Sequence, residues 1–107
     1  MDAVIDVAEL VPYTKGSVVS KSLVNRDTGS VTVFSFDQGE ELSEHSAPFD
    51  ALIHVLDGAA QVTLGGVAHT VKAGQMIVMP AMVPHAVKAV ERFKMTLFLA
   101  RAKKKDA

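Results

Sequence analysis

A chain of 107 residues and 11.4 kDa has the size of one domain. With 49% hydrophobic and 21% charged residues it can close a core, which excludes wholesale disorder. A formal net charge of -1 leaves no basic field to hold nucleic acid, and the absence of cysteine excludes disulfides, thiol nucleophiles and Cys-ligated zinc.

Met1 to Gly16 reads as an arm, with Pro12 in it, that covers a sheet edge or reaches a neighbouring subunit. Asp2, Asp6 and Glu9 stand where a signal peptide would carry basic residues and then an apolar stretch. The longest apolar runs fall far short of a membrane span. A soluble, cytoplasmic protein is therefore expected, with no nucleic acid or membrane among its partners.

Beyond the arm, turn-forming clusters recur at short intervals. They are Asn25-Arg26-Asp27-Thr28-Gly29, Asp37-Gln38-Gly39, Asp57-Gly58, Gly65-Gly66 and Lys72-Ala73-Gly74. Between them lie short runs rich in Val, Ile, Thr and Phe. Val31, Val33 and Ser35 alternate with Thr32, Phe34 and Phe36, and Phe93, Met95, Leu97 and Leu99 alternate with Lys94, Thr96, Phe98 and Ala100. A period of two in short runs predicts an all-β sandwich or barrel. The expected strands are 18–24, 30–36, 41–45, 51–56, 59–64, 67–71, 76–79, 85–90 and 93–100. Gly65-Gly66 fits a tight two-residue hairpin that sets Leu64 against Val67, Val62 against His69 and Ala60 against Val71. The end of the chain, with Arg101, Lys103, Lys104 and Lys105, reads as a solvated basic tail. The whole chain, 1–107, is thus one domain with its core at about 18–100.

The four histidines are His45, His54, His69 and His85. Alternation sends His54 to the face opposite Ala51, Ile53 and Val55, toward the outer surface or a subunit contact. His69 shares an apolar hairpin face, where a histidine is usually a hydrogen-bonded structural residue. His45 and His85 sit in more informative surroundings. Gly39, His45 and Gly58 define one spaced motif, and Gly74, Pro80 and His85 define a second, joined by the hairpin.

These two motifs resemble those of the cupins, specifically the small single-domain conserved-barrel (cupin 2) type. The resemblance implies a double-stranded β-helix, or jelly-roll, barrel of two antiparallel sheets. It also implies a metal centre of three histidines and one carboxylate, of which this chain keeps His45 and His85. Ala47 stands at the second histidine position, Ala51 at the carboxylate, Met82 at the glycine after the proline and Ala89 at the terminal asparagine. Two imidazoles hold a divalent ion (iron, manganese, nickel or zinc) only if other oxygens complete the shell. Asp50 is the nearest substitute, one residue from the expected carboxylate, and such an offset normally turns a side chain to the other face.

The alanines enlarge the space beside the imidazoles. An apolar hollow with a few polar groups is the usual form of a small-molecule site. Its expected lining is His45, His85, Ala47, Ala51, Phe34, Phe36 and Met79, with Phe49 as a further wall. Three functions follow. The first is binding of a small organic molecule in the barrel beside a two-histidine, metal-free or metal-holding site. The second is a metal-dependent cupin enzyme of the dioxygenase or isomerase type. The third is a structural or interaction module with a vestigial pocket. A mean hydropathy of +0.24 is high for so small a domain, and Phe98 points outward, so a homodimer is expected.

Overall fold

Each glycine-bearing turn ends a strand. The computed structural model describes residues 3–101, and these form β1 (Val18–Arg26), β2 (Gly29–Phe36), β3 (Glu41–His45), β4 (Asp50–Asp57), β5 (Ala59–Leu64), β6 (Val67–Lys72), β7 (Met76–Met79), β8 (His85–Lys88) and β9 (Phe93–Ala100). A five-stranded sheet of order β1-β2-β9-β4-β7 faces a four-stranded sheet of order β3-β8-β5-β6. All the pairings are antiparallel, so the chain is an all-β, double-stranded β-helix barrel. The hairpin register of β5 and β6 is the expected one, down to Val62 against His69. Strand ends shift by at most two residues from expectation. β8 stops at Lys88 because Ala89 leaves the ladder: its N–H donates to the Glu40 carbonyl at 2.9 Å, and its own carbonyl accepts from Gly39 N–H at 2.7 Å.

The inward faces build one core from Phe36, Ala51, Ile53, Val55, Val62, Met79, Val87, Phe93 and Met95, among others. Phe36 stacks on Phe93 with ring centroids 4.6 Å apart and planes at 10°. Those two fully buried rings fill the end of the barrel where β2 finishes and β9 begins.

The arm lies across the outer face of its own sheet. After a 3-10 turn at Val7–Glu9, Val11 is fully buried, and so are the outward-facing Val33 and Ser35 of β2. The Ser35 hydroxyl donates to the Pro12 carbonyl at 3.0 Å, and the Lys94 ammonium donates to the Ala8 carbonyl at 2.6 Å. The Tyr13 hydroxyl donates to Asp57 at 2.6 Å, with Arg92 and Lys94 4.5 and 4.8 Å from its ring centroid. Burial, then the Asp57 carboxylate, holds that phenol well above its ordinary range. Of the two roles expected for the arm, it covers a sheet, though a face rather than an edge.

Asp37 fastens the arm's last residue, accepting from Gly16 N–H at 2.7 Å. The Gly16 and Gln38 N–H groups hold its carboxyl below the ordinary carboxylate value. A depressed folded value stabilises the fold above the unfolded value of about 3.9, and that stability disappears as pH falls through the folded value. Asp37→Asn is therefore expected to lower the melting temperature slightly at pH 7. In melts recorded from pH 7 to pH 2, the difference from wild type should shrink below about pH 4. A difference that grows on acidification contradicts the assignment.

Candidate functional site

Two chain crossings between the sheets meet at the end away from the Phe36–Phe93 stack. β3 passes to β4 through 46–49, and β7 passes to β8 through 80–84. Met82 N–H donates to the Ala47 carbonyl at 2.8 Å, tying one crossing to the other. Gly65 N–H donates to the Pro84 carbonyl at 2.8 Å, tying the hairpin tip to the same place.

His45 ends β3, His85 opens β8, and the register sets them side by side. A bulge makes this possible. Leu42 lies opposite Val87 and His45 opposite His85, so three steps along β3 match two along β8. In an unbroken strand Leu42 and His45 would point to opposite faces. The bulge at Ser43 and Glu44 turns both inward. The rings meet edge to face, centroids 4.3 Å apart at 66°, and their Nε2 atoms are 3.1 Å apart.

The other ring nitrogens fix the chemistry. His45 Nδ1 is 2.8 Å from the Ser43 carbonyl oxygen, and His85 Nδ1 is 3.2 Å from the Val83 carbonyl oxygen. A carbonyl oxygen only accepts, so each Nδ1 donates its proton. Each neutral ring then aims a lone pair at the other, and two lone pairs at 3.1 Å make no bond. Either one proton is shared between the rings, or a donor from a bound molecule enters between them. His45 is exposed and His85 half-buried, so a ligand can reach both.

Around the pair, the expected lining divides. Ala51 and Met79 are paired across β4 and β7 at this end, inward and almost fully buried, with Leu99 opposite Ala51 on β9. Ala47 is half-buried in the crossing beside them. Phe34 is inward and half-buried but lies opposite Met95, four residues along β9 from Leu99. Phe36 lies opposite Phe93, six residues and about 20 Å from Leu99. It therefore plugs the base, and the expectation that it walls the pocket is corrected: alternation gives the face of a residue, not its depth. Phe49 carries the Arg101 guanidinium 5.3 Å above its ring.

Asp50 does not join the histidines. Its carboxylate accepts from Ala81 N–H at 2.8 Å, and its register neighbour is Ala100, on the outward face. His54 points outward and is half-buried between Thr96 and Met76. His69 is exposed on the edge strand β6, and among the described residues its ring makes no hydrogen bond, contrary to the structural role expected for it. Glu41 and Glu44 border a groove on the outer face of the smaller sheet with Gln61, Thr63 and Lys88, away from the mouth.

Sequence reasoning missed the bulge, and it missed the shape of the 80–84 crossing. Met82 holds φ 72 and is 66% exposed. A side chain in the left-handed region is strained by roughly 1 kcal/mol, and the signal was present: methionine stands where the resembling motif has glycine.

The donor set does not fit a resident metal centre of the kind the resemblance implies. A catalytic metal takes three protein ligands and an open position. Here two imidazoles converge, and among the described residues no group of three or more His, Cys, Asp or Glu could hold an ion.

Barrel, motifs and paired histidines together define a cupin-type domain. A family model described as the cupin domain matches residues 32–100, and the chain belongs to that family. A conserved protein of unknown function from Streptococcus pyogenes is 38% identical, with a TM-score of 0.92 over 97% of this chain and 91% of that one. A cupin 2 conserved barrel domain protein from Leptotrichia buccalis is 45% identical, with a TM-score of 0.88 over 91% of this chain but 47% of that one. A cupin superfamily protein from Desulfitobacterium hafniense is 26% identical, with a TM-score of 0.89 over 95% and 94% of the two chains. No protein of curated function matches the chain. Among the described residues no helix is long and apolar enough to cross a membrane.

Proposed function

We propose that this chain binds a small organic molecule in the mouth of its barrel, anchored by His45 and His85 through an acid or hydroxyl group of the ligand. The observation that carries the reading is the pair of Nε2 atoms 3.1 Å apart, with both Nδ1 atoms committed to backbone carbonyls. Two acceptors aimed at one point take a hydroxyl or carboxyl proton. With a proton already shared, the pair is cationic and attracts a carboxylate. Ala47 and Ala51 put small side chains at this end of the barrel, and Met79 offers an adaptable apolar surface beside them.

The test is a thermal-shift screen of small carboxylic and hydroxy acids. A ligand present at 100 times its Kd stabilises by about 2.7 kcal/mol, which raises the melting temperature of a domain this size by roughly 10 °C or more. His45→Ala and His85→Ala should each weaken the same ligand by about tenfold or more, since a hydrogen bond to a charged group contributes about 1.5–3 kcal/mol. Stabilisation that survives in both variants overturns the reading.

A further inference from the structure

We infer that the outer edge of β6 takes up an extended segment of another protein as an added antiparallel strand, with a carboxylate opposite His69 and an apolar side chain opposite Val67. An edge strand presents unpaired N–H and C=O groups, and proteins blunt such edges with bulges, charges or short strands. Among the described residues, three of the four sheet edges are blunted in this way. β1 has a bulge between Ser22 and Val24 and carries Lys21 and Arg26. β3 has its bulge at Ser43 and Glu44, with Glu41 beside it, and β7 is four residues long. β6 has six residues in unbroken register with β5, and its one formal charge, Lys72, stands at the last position. Val67, Ala68, His69 and Thr70 are all exposed.

The hairpin fixes which backbone groups are available. Leu64 and Val67 flank the two-glycine turn, and the pair flanking such a turn exchanges both its hydrogen bonds. Counting along β6, Val67, His69 and Val71 therefore turn their N–H and C=O groups to β5, and Ala68, Thr70 and Lys72 turn theirs outward. Lys72 agrees with this count: its N–H donates to Gln75 Oε1 at 2.9 Å, and its carbonyl accepts from Gln75 N–H at 2.8 Å. Ala68 and Thr70 have no such partner among the described residues, so four backbone groups await an added strand. Side-chain chemistry then selects the segment. Val67 and His69 share the inward face with Leu64 and Val62, yet both are exposed, so the facing sheet does not reach over this end of β6. Residues opposite them on an added strand fall on the same face. The His69 ring has an N–H to donate in either tautomer, and neither β5 nor β6 carries an acidic residue, so a carboxylate is its complement. Val67, 58% exposed, is covered by an apolar side chain. Read from its N-terminus, the segment is acid, any residue, apolar.

The probe is an acetylated and amidated peptide, Thr-Glu-Thr-Val-Thr, titrated into the isotope-labelled full chain to about 5 mM, where a millimolar Kd leaves most sites filled. The amide signals of Ala68 and Thr70 should shift and saturate, while that of Ser43 on the bulged β3 edge stays. N-methylation of the peptide's first and third residues, which meet Thr70 and Ala68, should weaken binding about tenfold or more. N-methylation of its second and fourth residues should change it little. Lysine in place of the peptide's glutamate should weaken it several-fold. Thr70→Pro removes an outward N–H only, so it should keep a cooperative melt and lose the peptide, whereas His69→Pro breaks the ladder to β5 and should melt far lower. The inference is overturned by shifts that never saturate, by equal effects of the two methylation patterns, or by binding that survives Thr70→Pro. A Thr70→Pro chain as unstable as His69→Pro overturns it too. So do Ala68 and Thr70 amides protected from exchange before any peptide is added, since a second copy would then hold the edge.

Discussion

Phe93→Ala should bring the domain to the edge of unfolding. The ring is fully buried, stacks on Phe36 at 4.6 Å and closes the barrel's base. Removing a buried phenylalanine costs about 3–5 kcal/mol, against a total stability of about 5–15 kcal/mol for such a domain. At about 4–8 °C per kcal/mol, the melting temperature should fall by more than about 12 °C. Phe34→Ala should cost distinctly less, because Phe34 is half-buried and 6.0 Å from Phe36 in a tilted contact. Urea melts of the two variants side by side measure the contrast. Equal losses would mean that the stack does not close the base as described.

Gly58→Ala should be nearly as severe, for a different reason. Gly58 joins β4 to β5 with φ +71. A Cβ there would overlap the Arg92 carbonyl oxygen and press on Phe93 Cα and Cβ at 3.1 Å. Backbone cannot move aside as a flexible side chain can, so the turn or the start of β9 must shift. The expected cost is about 3 kcal/mol or more, in the range of other strained backbone substitutions. Gly66→Ala separates the two contributions. Its φ is +82, yet no atom lies within 4 Å of a Cβ, so only the left-handed strain of roughly 1 kcal/mol applies. Thermal melts that rank Gly66→Ala as the costlier change contradict the crowding argument.

Strand order of residues was legible because alternation and glycine turns act locally. The β5–β6 hairpin shows it, since two glycines set a register that places Val62 against His69. The convergence of His45 and His85 was legible only through the resemblance of the two motifs to those of the cupins. Their contact was not, because it depends on one extra residue in β3, and a bulge leaves no period of its own in a five-residue strand. Depth along the barrel was also hidden. Phe34 and Phe36 share the face of the pocket residues, but only the pairing with β9 shows Phe36 at the base. The arm's docking was half visible: an apolar residue such as Val11 needs a cover, but its partners Val33 and Ser35 are named only by the folded chain.

These findings separate what the barrel needs from what the mouth can do. Phe36, Phe93 and Gly58 pack one end of the barrel, while Ala47, Ala51 and the strained Met82 lie at the other. At that end the two imidazoles face each other through Nε2, and each Nδ1 lies against a backbone carbonyl.

The proton positions of both rings can be read in a long-range proton–nitrogen spectrum of the imidazoles, recorded before and after adding the acid that stabilises the wild type most. The account predicts that His45 and His85 both carry a proton on Nδ1, and that both Nε2 signals move together as the acid binds. Rings protonated on Nε2 alone, or signals that stay still while the acid binds, would contradict it.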